Sequence, residues 1–323
     1  MKTLWKEVCA AMLMGALLPG IILNLSLLLL QGNAQELPIM QTVPEAYVVE
    51  TVNLPVSVRF PDNRIEQMDM DVYLTGVVLG EMPAGFEPEA IKAQAVAART
   101  YTAKAIDTGG KHGDGSLCTD PGCCQAYVSE ENYLGHGGTE DGLEKVRRAV
   151  LETSGRVLTY EGELIEATYF SCSGGSTEDA AAVWGTEYPY LQAVNSPGEE
   201  HAAHYCDKFC FTTAQFQEKT GCQLTGDSGS WFITESCTPG GGINVMAICG
   251  EKYTGTQLRS LLGLPSTAMT FTVEGDTITV VTKGYGHRVG MSQYGADAMA
   301  ATGKTYWEIL AYYYPGTQLE MLP

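Results

Sequence analysis

An uninterrupted run of 23 uncharged residues, residues 8–30, lies near the amino terminus. A helix of about 20 apolar residues spans the hydrocarbon core of a bilayer, and the two lysines before the run favour a cytoplasmic amino terminus. We therefore predict an uncleaved single-pass membrane anchor in residues 1–35, with residues 36–323 outside the cytoplasm at the cell membrane. A cleaved signal peptide is the alternative, because the small residues 32–34 suit a cleavage site.

The chain is acidic, with a formal net charge of −19. Such a surface repels phosphate backbones, so we expect no nucleic-acid partner. The apolar fraction of 45% is ordinary for a folded protein, so extensive disorder is not expected. Nine of the ten cysteines follow the uncharged run. Because nine is odd, disulfides within the chain cannot pair all of them.

The rest of the sequence mixes short strand and helix patterns. After a polar spacer, residues 36–55, VSVRF and MDVYLTGVV read as strands, and the alanine-rich PEAIKAQAVAARTYTAKAID reads as a helix. GLEKVRRAVLETSG and the closing GADAMAATGKTYWEILAYYY predict two further helices, whereas RVLTYEGELIEATYFS and MTFTVEGDTITVVTKGYG predict hairpins. Because strands and helices do not alternate regularly, we predict an α+β fold whose mixed short strands and helices form a cleft.

A single carboxylate, Glu81, stands among glycines, aliphatic side chains and a proline in GVVLGEMPAGF. It is either a solvated charge at a turn or a general acid in an apolar pocket, and the stretch alone leaves both open. In the helix that follows, Lys92 and Arg99 are seven residues apart and share one face. They either extend along the surface into solvent or face a cleft that they share with Glu81.

One imidazole and three thiols occur within 13 residues of a glycine-rich loop: His112, Cys118, Cys123 and Cys124. Zinc takes nitrogen and sulfur ligands of this kind in tetrahedral geometry, and three thiolates favour a closed structural site over a catalytic one. The spacing differs from the common CxxC form. From the residues alone, disulfides or free thiols therefore stay open as the alternative.

Two further segments combine small polar, aromatic and amide side chains with glycines. YFSCSGGST, residues 169–177, suits either the close approach of a polar ligand or a plain turn, and no base accompanies Cys172 to make it a nucleophile. GYGHRVGMSQYGADAMA, residues 284–300, is similar to a sugar-binding lip. The candidate substrate-binding residues of the two segments are Tyr169, Ser171, Ser173, Gly174, His287, Ser292, Gln293 and Tyr294.

Four stretches together resemble the stage II sporulation protein D family of cell-wall lytic enzymes. They are DVYLTGVVLGEMPAGFEPEAIKAQAVAARTYT, ATYFSCSGGSTEDAAAVWGTEYPYL, YTGTQLRSLLGLPST and GYGHRVGMSQYGADAMAATGKTYWEILAYYYPGTQL. They follow the family's order across residues 56–320, which we predict to be the catalytic region. GEMP together with VGMSQYGA is a specific pair of motifs, and an amino-terminal anchor is also typical of the family.

The resemblance implies a peptidoglycan lytic transglycosylase in which Glu81, the glutamate of GEMP, is the catalytic residue. It matches Lys92 and Arg99 to basic positions of the next helix, and it likens the His-Cys loop to the zinc loop of some clostridial members. Phe170 stands where histidine is common in the family and Arg288 where glycine is common. These two departures concern the sugar contacts and leave Glu81 untouched.

We identify no second carboxylate beside GEMP, so the implied reaction uses Glu81 alone. The neutral carboxyl would donate its proton to the bond between N-acetylmuramic acid and N-acetylglucosamine, then take the proton of the muramic C6 hydroxyl as a 1,6-anhydro ring closes. We predict that apolar neighbours raise the pKa of Glu81. Lys92 and Arg99 would accordingly bind sugar or order the fold, because a close cation would oppose that shift.

The resemblance further implies septal wall remodelling and forespore engulfment during sporulation. The expected partners are glycan strands, a peptidoglycan amidase and a polytopic membrane protein. Two other functions stay open: some relatives modify an amidase without cleaving glycan, and a zinc hydrolase would use the same thiols. A relative that remodels the wall outside sporulation would carry the same motifs.

Overall fold

The structure is a computed structural model and describes residues 54–322. Over this range short strands and helices follow one another without βαβ regularity, so the predicted α+β class is confirmed. No helix within residues 54–322 has both the length and the apolar character needed to cross a bilayer. The predicted anchor, residues 1–35, and the spacer as far as residue 53 lie outside the described residues.

The strands of the described range are β1 (Pro55–Arg59), β2 (Ile65–Asp69), β3 (Leu117–Cys118), β4 (Arg156–Tyr160), β5 (Glu163–Leu164), β6 (Tyr169–Phe170), β7 (Cys206–Thr212), β8 (Phe232–Cys237), β9 (Ile243–Ile248), β10 (Glu251–Thr254), β11 (Ala268–Glu274), β12 (Thr277–Lys283), β13 (Met291–Ser292) and β14 (Gln318–Met321). Its α-helices are α1 (Met70–Glu81), α2 (Pro88–Thr108), α3 (Glu130–Gly135), α4 (Glu140–Glu152), α5 (Ala180–Trp184), α6 (Thr213–Thr220), α7 (Gly255–Leu262), α8 (Gln293–Ala301) and α9 (Tyr306–Tyr313).

Two hydrophobic cores hold these elements together. The first is built around α2, which is rich in alanine and contacts α1, α4, α8, α9 and β4. Its small side chains let the neighbouring elements pack closely against it. The second core lies within residues 206–283, where β7, β12 and β11 form one sheet and β8, β9 and β10 another. Phe216 and Ile248 are among its fully buried side chains.

Two short parallel pairings bring distant segments together. β3 pairs with β1, which places Cys118 and its loop beside the first hairpin. β13 pairs with β6, so that Ser292 lies opposite Phe170. The second pairing joins the two polar segments in which the sequence predicts substrate-binding residues. Both pairings therefore build the site described below.

The stretch MDVYLTGVV forms most of α1, and its prediction as a strand was wrong. The Asp69 carboxylate caps the helix by accepting the N–H groups of Asp71 and Val72. Residues 73–79 are buried without interruption, and a short, fully buried run has the same sequence signature in a helix and in a strand. Glu81 is consequently the last residue of a helix rather than a residue that follows a strand.

The other predictions of local structure hold with one exception. The hairpins β4–β5 and β11–β12 occur where the sequence places them, and α2 and α4 cover the two predicted internal helices. The closing helix is in fact two helices, α8 and α9. They separate around Gly303, whose φ of 89° lies in the left-handed region that glycine adopts easily and that ends a helix.

Arg99 orders the fold and does not face Glu81. Its buried guanidinium pairs with Asp71 at 2.9 Å and donates to the carbonyl oxygens of Val150 and Thr153 at the end of α4. A helix end leaves such carbonyls without partners inside the helix, so Arg99 satisfies them and joins α1 to α4. Its assignment as a substrate-binding residue is therefore corrected.

Lys92 also lies away from the site. Its ammonium group pairs with Glu89 at 2.8 Å and with Glu152 at 2.7 Å, across the groove between α2 and α4. It does not line the cavity that contains Glu81. Of the two predicted roles, the ion pairs of Lys92 and Arg99 favour the ordering of the fold.

Candidate active site

Glu81 lines a cavity of about 450 Å³ at the edge of the first core. The cavity walls also include Tyr101, Cys123, Cys124, Gln125, Glu166, Tyr169, Trp184, Tyr188 and His287. These residues belong to segments far apart in the chain, from α1 and the cysteine loop to the loop before β13. A concave surface with aromatic walls and a few convergent polar groups is the usual form of a ligand site.

The Glu81 carboxyl group occupies a setting that favours its neutral form. Burial raises its pKa, whereas the Ala126 N–H, which donates to Oε1 at 2.6 Å, and the Gln293 side chain act in the opposite direction. The carboxyl end of α1 also disfavours a negative charge, because the helix dipole is negative there. No cation among the described residues contributes to the shift. The raised pKa agrees with the prediction and extends the pH range in which Glu81 can donate a proton.

Two glycines of α1 allow the Ala126 N–H to reach Glu81. A side chain at Gly76 would overlap the ring of Tyr127, and a Cβ atom at Gly80 would lie 3.0 Å from the backbone nitrogen of Tyr127. The segment that follows the cysteine loop therefore lies directly on the helix, where the Val128 N–H donates to the Gly76 carbonyl at 2.9 Å. This contact was not predicted from the sequence, although the four-residue spacing of Gly76 and Gly80 is the signal that points to it.

Gln293 lies beside Glu81 and directly follows β13, which pairs with β6. Its side-chain amide is buried and interacts with the Glu81 carboxyl, whose pKa it lowers. Ser292 caps α8 with its side chain, and the Tyr294 N–H donates to the Ser171 carbonyl at 3.1 Å. Ser171, Ser292 and Tyr294 hold Gln293 in place and do not line the cavity.

Tyr169 and His287 line the cavity, as their assignment to the site requires. The Tyr169 hydroxyl donates to Oε1 of Gln125 at 2.9 Å. The Val289 N–H donates to Nδ1 of His287 at 3.1 Å, which leaves Nε2 to carry the imidazole proton. Burial, together with the nearby Arg259 cation, lowers the pKa of His287 to about 4. The imidazole is therefore neutral near pH 7 and acts as a neutral hydrogen-bonding group.

Ser173 and Gly174 surround a buried carboxylate and do not line the cavity. Glu199 accepts the N–H of Ser173 at 2.7 Å, its hydroxyl at 2.9 Å and the N–H of Gly174 at 3.2 Å. Cys172 donates to the same carboxylate, and burial with the Glu199 charge raises the pKa of this thiol to about 12. The assignment of Ser173 and Gly174 to substrate binding is corrected, and Cys172 is not activated as a nucleophile.

Arg288 and Phe170, the two departures from the family's frequent pattern, have different surroundings. Arg288 has a φ of 65°, a backbone conformation that glycine adopts more easily. Its buried guanidinium pairs with Glu178 at 3.2 Å and donates to three backbone carbonyls, so it does not reach the cavity. The Phe170 ring packs edge-on against His287, with centroids 5.7 Å apart. Phe170 therefore packs against His287 without lining the cavity itself.

The predicted metal ligands His112, Cys118, Cys123 and Cys124 lie together, with all four ligand atoms within 4.8 Å of one another. The Sγ atoms of Cys123 and Cys124 are 3.9 Å apart, and Nε2 of His112 lies 3.9 and 3.6 Å from them. Around a tetrahedral zinc ion such atoms are separated by about 3.5 to 3.8 Å. The donor set therefore fits one zinc ion, and four protein ligands would leave no open position for water.

Glu166 is a second carboxylate in the cavity, so the prediction of a single carboxylate at the site was wrong. It pairs with Lys104 at 3.2 Å, and Lys104 also donates to the Leu164 carbonyl at 3.0 Å. Glu166 follows the β4–β5 hairpin, far from GEMP in the sequence, so no local motif marked it. The two carboxyl groups differ in setting, because Glu81 has no cationic partner among the described residues and Glu166 has one.

The fold and this site together define an α+β protein with a carboxyl-lined cleft. A family model described as stage II sporulation protein matches residues 61–160. Stage II sporulation protein D of Bacillus subtilis (strain 168) is 42% identical over 288 residues, which are 87% of this chain and 84% of the relative. The protein of the same name from Bacillus amyloliquefaciens is 40% identical over 82% of this chain and 79% of the relative. The chain therefore belongs to the stage II sporulation protein D family, a family of sporulation proteins.

A more distant relative has a different name. The amidase enhancer of Bacillus subtilis (strain 168) is 30% identical over 305 residues, which are 76% of this chain but 40% of that protein. The similarity thus spans most of this chain and a smaller part of the larger relative.

We expect Gly80→Ala to impair the site while leaving the fold intact. The added methyl group would press on the backbone of residues 126–127 and lengthen the hydrogen bond to Glu81. Cleavage of glycan, the activity that the family resemblance implies, is expected to fall by about tenfold to a hundredfold in kcat. The pKa of Glu81, followed by NMR of its carboxyl carbon, is expected to rise further, because a contact that lowers it is weakened.

Gly85→Ala is the matched control, since a Cβ atom there meets nothing within 4 Å. Gly80 itself lies within α1, where alanine stabilises a helix relative to glycine by about 1 kcal/mol. Lost helicity therefore cannot explain a loss of activity in Gly80→Ala. Equal activity of the two variants would contradict the role given to the Ala126 contact.

Proposed function

We propose that the protein is a peptidoglycan lytic transglycosylase that cleaves the bond between N-acetylmuramic acid and N-acetylglucosamine and leaves 1,6-anhydro ends. The observation that carries this proposal is the Glu81 carboxyl, whose pKa burial raises and which has no cationic partner among the described residues. A cavity with aromatic walls supports it. Membership of the family supports a role in the cell wall.

In this proposal Glu81 first donates its proton to the glycosidic oxygen as the bond to C1 breaks. The resulting carboxylate accepts the Ala126 N–H, which stabilises the charge. The carboxylate then takes the proton of the muramic C6 hydroxyl while that oxygen bonds to C1. The ring closes, the proton returns to Glu81, and no water is consumed. One carboxyl group thus serves as acid and then as base.

Glu166 is the group that a hydrolytic mechanism would need. Glycoside hydrolases use a second carboxylate either to activate water or to attack the sugar. In this cavity the Glu166 carboxylate is engaged by Lys104 at 3.2 Å. We therefore assign it to the ion pair and to substrate contact and leave proton transfer to Glu81.

A second candidate function is the modification of an amidase without glycan cleavage. The relative named amidase enhancer favours it, since it matches most of this chain. The same relative supports an amidase as a partner under either function. We also propose membrane attachment through residues 8–30, sporulation-specific wall remodelling and a polytopic membrane partner, for which the sequence and the family resemblance are the support.

We further propose that His112, Cys118, Cys123 and Cys124 bind one structural zinc ion. A bound zinc ion would cross-link residues 112–124 through four strong ligand bonds. Ala126 follows this loop by two residues, so the loop fixes the backbone that donates to Glu81. The close approach of the four ligand atoms supports the assignment.

We expect purified full-length protein to contain one zinc ion per chain by elemental mass spectrometry. Cys124→Ser is expected to lose the metal and to melt about 5 to 10 °C lower. Cys206→Ser, which removes an exposed thiol outside the ligand set, is the control and is expected to keep both properties. If a chelator stopped glycan cleavage at once without lowering the melting temperature, the zinc would be catalytic and the structural assignment wrong.

We expect Glu81→Gln to lower the release of anhydro-muropeptides from purified glycan by roughly a hundredfold to ten-thousandfold. Glutamine can still accept the Ala126 N–H, so the fold is retained while the exchangeable proton is lost. Mass spectrometry of the products measures the effect. Undiminished release of anhydro ends by this variant would refute the mechanism, and absence of cleavage by the wild-type protein would favour the amidase modifier.

The wild-type and Glu81→Gln proteins also test how cleavage and stability depend on pH. Because the pKa of Glu81 is raised in the folded protein, cleavage is expected to decline as pH rises through that raised value. The folded wild-type protein also loses stability as pH rises from the ordinary range of a glutamic acid to the raised pKa, since burial disfavours the charge. Glu81→Gln lacks this loss, so its advantage in melting temperature is expected to grow with pH across that window.

A further inference from the structure

The indole ring of Trp184 is exposed at the cavity although it lies on a well-fixed segment. Its residue is 42% exposed, and it is one of the few large apolar side chains of the described range that remain exposed. The ring centroid lies 5.2 Å from that of His287, at an interplanar angle of 56°. An exposed tryptophan in a cavity wall leaves an apolar face uncovered, and such faces commonly mark binding sites.

Several contacts hold the helix that carries this ring. The Asp179 carboxylate caps α5 by accepting the Ala181 N–H at 2.8 Å. The preceding residue, Glu178, is fully buried, pairs with Arg288 and accepts the Gly242 N–H at 3.0 Å. The Arg288 pair therefore connects the segment that carries Trp184 to the segment that carries His287. The backbone that carries the ring is held in place before any ligand arrives, which lowers the entropy lost on binding.

Polar groups that suit sugar hydroxyls lie in the same cavity. Glu166 lines the cavity and offers carboxylate acceptors, and its partner Lys104 leaves it partly exposed. Lys111 lines the same cavity and offers an ammonium donor. Tyr188 lines the cavity too, and burial together with the Glu166 charge raises the pKa of its hydroxyl. A pyranose ring has an apolar C–H face and a rim of hydroxyl groups. An indole face next to a carboxylate and an ammonium group matches both surfaces.

We propose that Trp184, Tyr188 and Glu166 form a subsite for an N-acetylhexosamine ring that neighbours the bond cleaved at Glu81. Trp184 stacks on the apolar face of that ring, and Glu166 accepts its hydroxyl protons in hydrogen bonds. This inference rests on the proposed function, because it assigns the sugar chain of the same cavity. It also gives Glu166 a binding role in place of a catalytic one.

The test uses full-length protein with Glu81→Gln, which prevents turnover, and the tetramer of N-acetylglucosamine as the probe. The chain has four tryptophans, Trp5, Trp184, Trp231 and Trp307. The tetramer is expected to change their fluorescence emission, and adding Trp184→Phe is expected to abolish the change. Trp231→Phe is the matched control, because Trp231 belongs to the second core, and it is expected to retain the change.

Binding constants from calorimetry complete the test. We expect Trp184→Ala to weaken tetramer binding by about tenfold and Trp184→Phe, which keeps an aromatic face, to stay within about threefold. Glu166→Gln is expected to weaken binding as well. A Trp184→Phe protein that still showed the emission change, or a Trp184→Ala protein that bound normally, would overturn the subsite.

The outcomes for the subsite and for the proposed function can be told apart. If wild-type protein cleaves glycan but the Glu81→Gln protein binds no tetramer, only the subsite is overturned. If the wild-type protein does not cleave glycan and the Glu81→Gln protein does not bind the tetramer, both the proposed function and the subsite are overturned. If Glu166→Gln abolishes cleavage and leaves binding unchanged, Glu166 is catalytic and its assigned role is wrong.

Discussion

The hydrogen bond from the Ala126 N–H to the Glu81 carboxyl joins the two parts from which the site is built. One part is α1, which ends at Glu81, and the other is the backbone that leaves the His-Cys loop. The bond exists because Gly76 and Gly80 leave one face of the helix without side chains. A neutral donor in this position steadies the carboxyl without holding it as an anion, so burial sets the direction of its pKa shift. The setting of the Glu81 carboxyl thus depends on how closely a loop approaches a helix.

The sequence identified the residues of short motifs better than it identified their surroundings. Glu81, His287 and Gln293 stand in glycine-framed stretches, and the pairing of β13 with β6 joins the stretch of His287 and Gln293 to that of Tyr169. The structure of residues 70–81 could not be decided, because a fully buried run has the same pattern in a helix and in a strand. Arg99 and Glu166 depend on long-range partners, one at the end of α4 and one in α2, and no local spacing encodes such contacts. Ser173 and Gly174 also depend on a long-range partner, because they donate to Glu199. Their small polar composition alone suggested an open binding loop.

The departures from the family's frequent pattern are explained by packing. Arg288 adopts a backbone conformation suited to glycine, and its guanidinium offsets the strain by pairing with the buried Glu178. That pair also fixes the segment leading to Trp184, so a residue far from the chemistry shapes the outer wall of the cavity. Lys92 and Arg99 show the converse, since both are cations near the motif glutamate in sequence and both serve the packing of α2 against its neighbours. Proximity in sequence to Glu81 is therefore a poor guide to a role in the site.

The central claim is that one carboxyl group acts as acid and base without water, although a second carboxylate lines the cavity. Digestion of purified glycan strands in water labelled with heavy oxygen tests it most directly, with the new chain ends analysed by mass spectrometry. We expect muramic ends that are one water lighter than reducing ends and that carry no heavy oxygen. Reducing ends that carry the heavy oxygen would contradict it, since they would show that water attacks C1 and that Glu166 or a metal ion activates it.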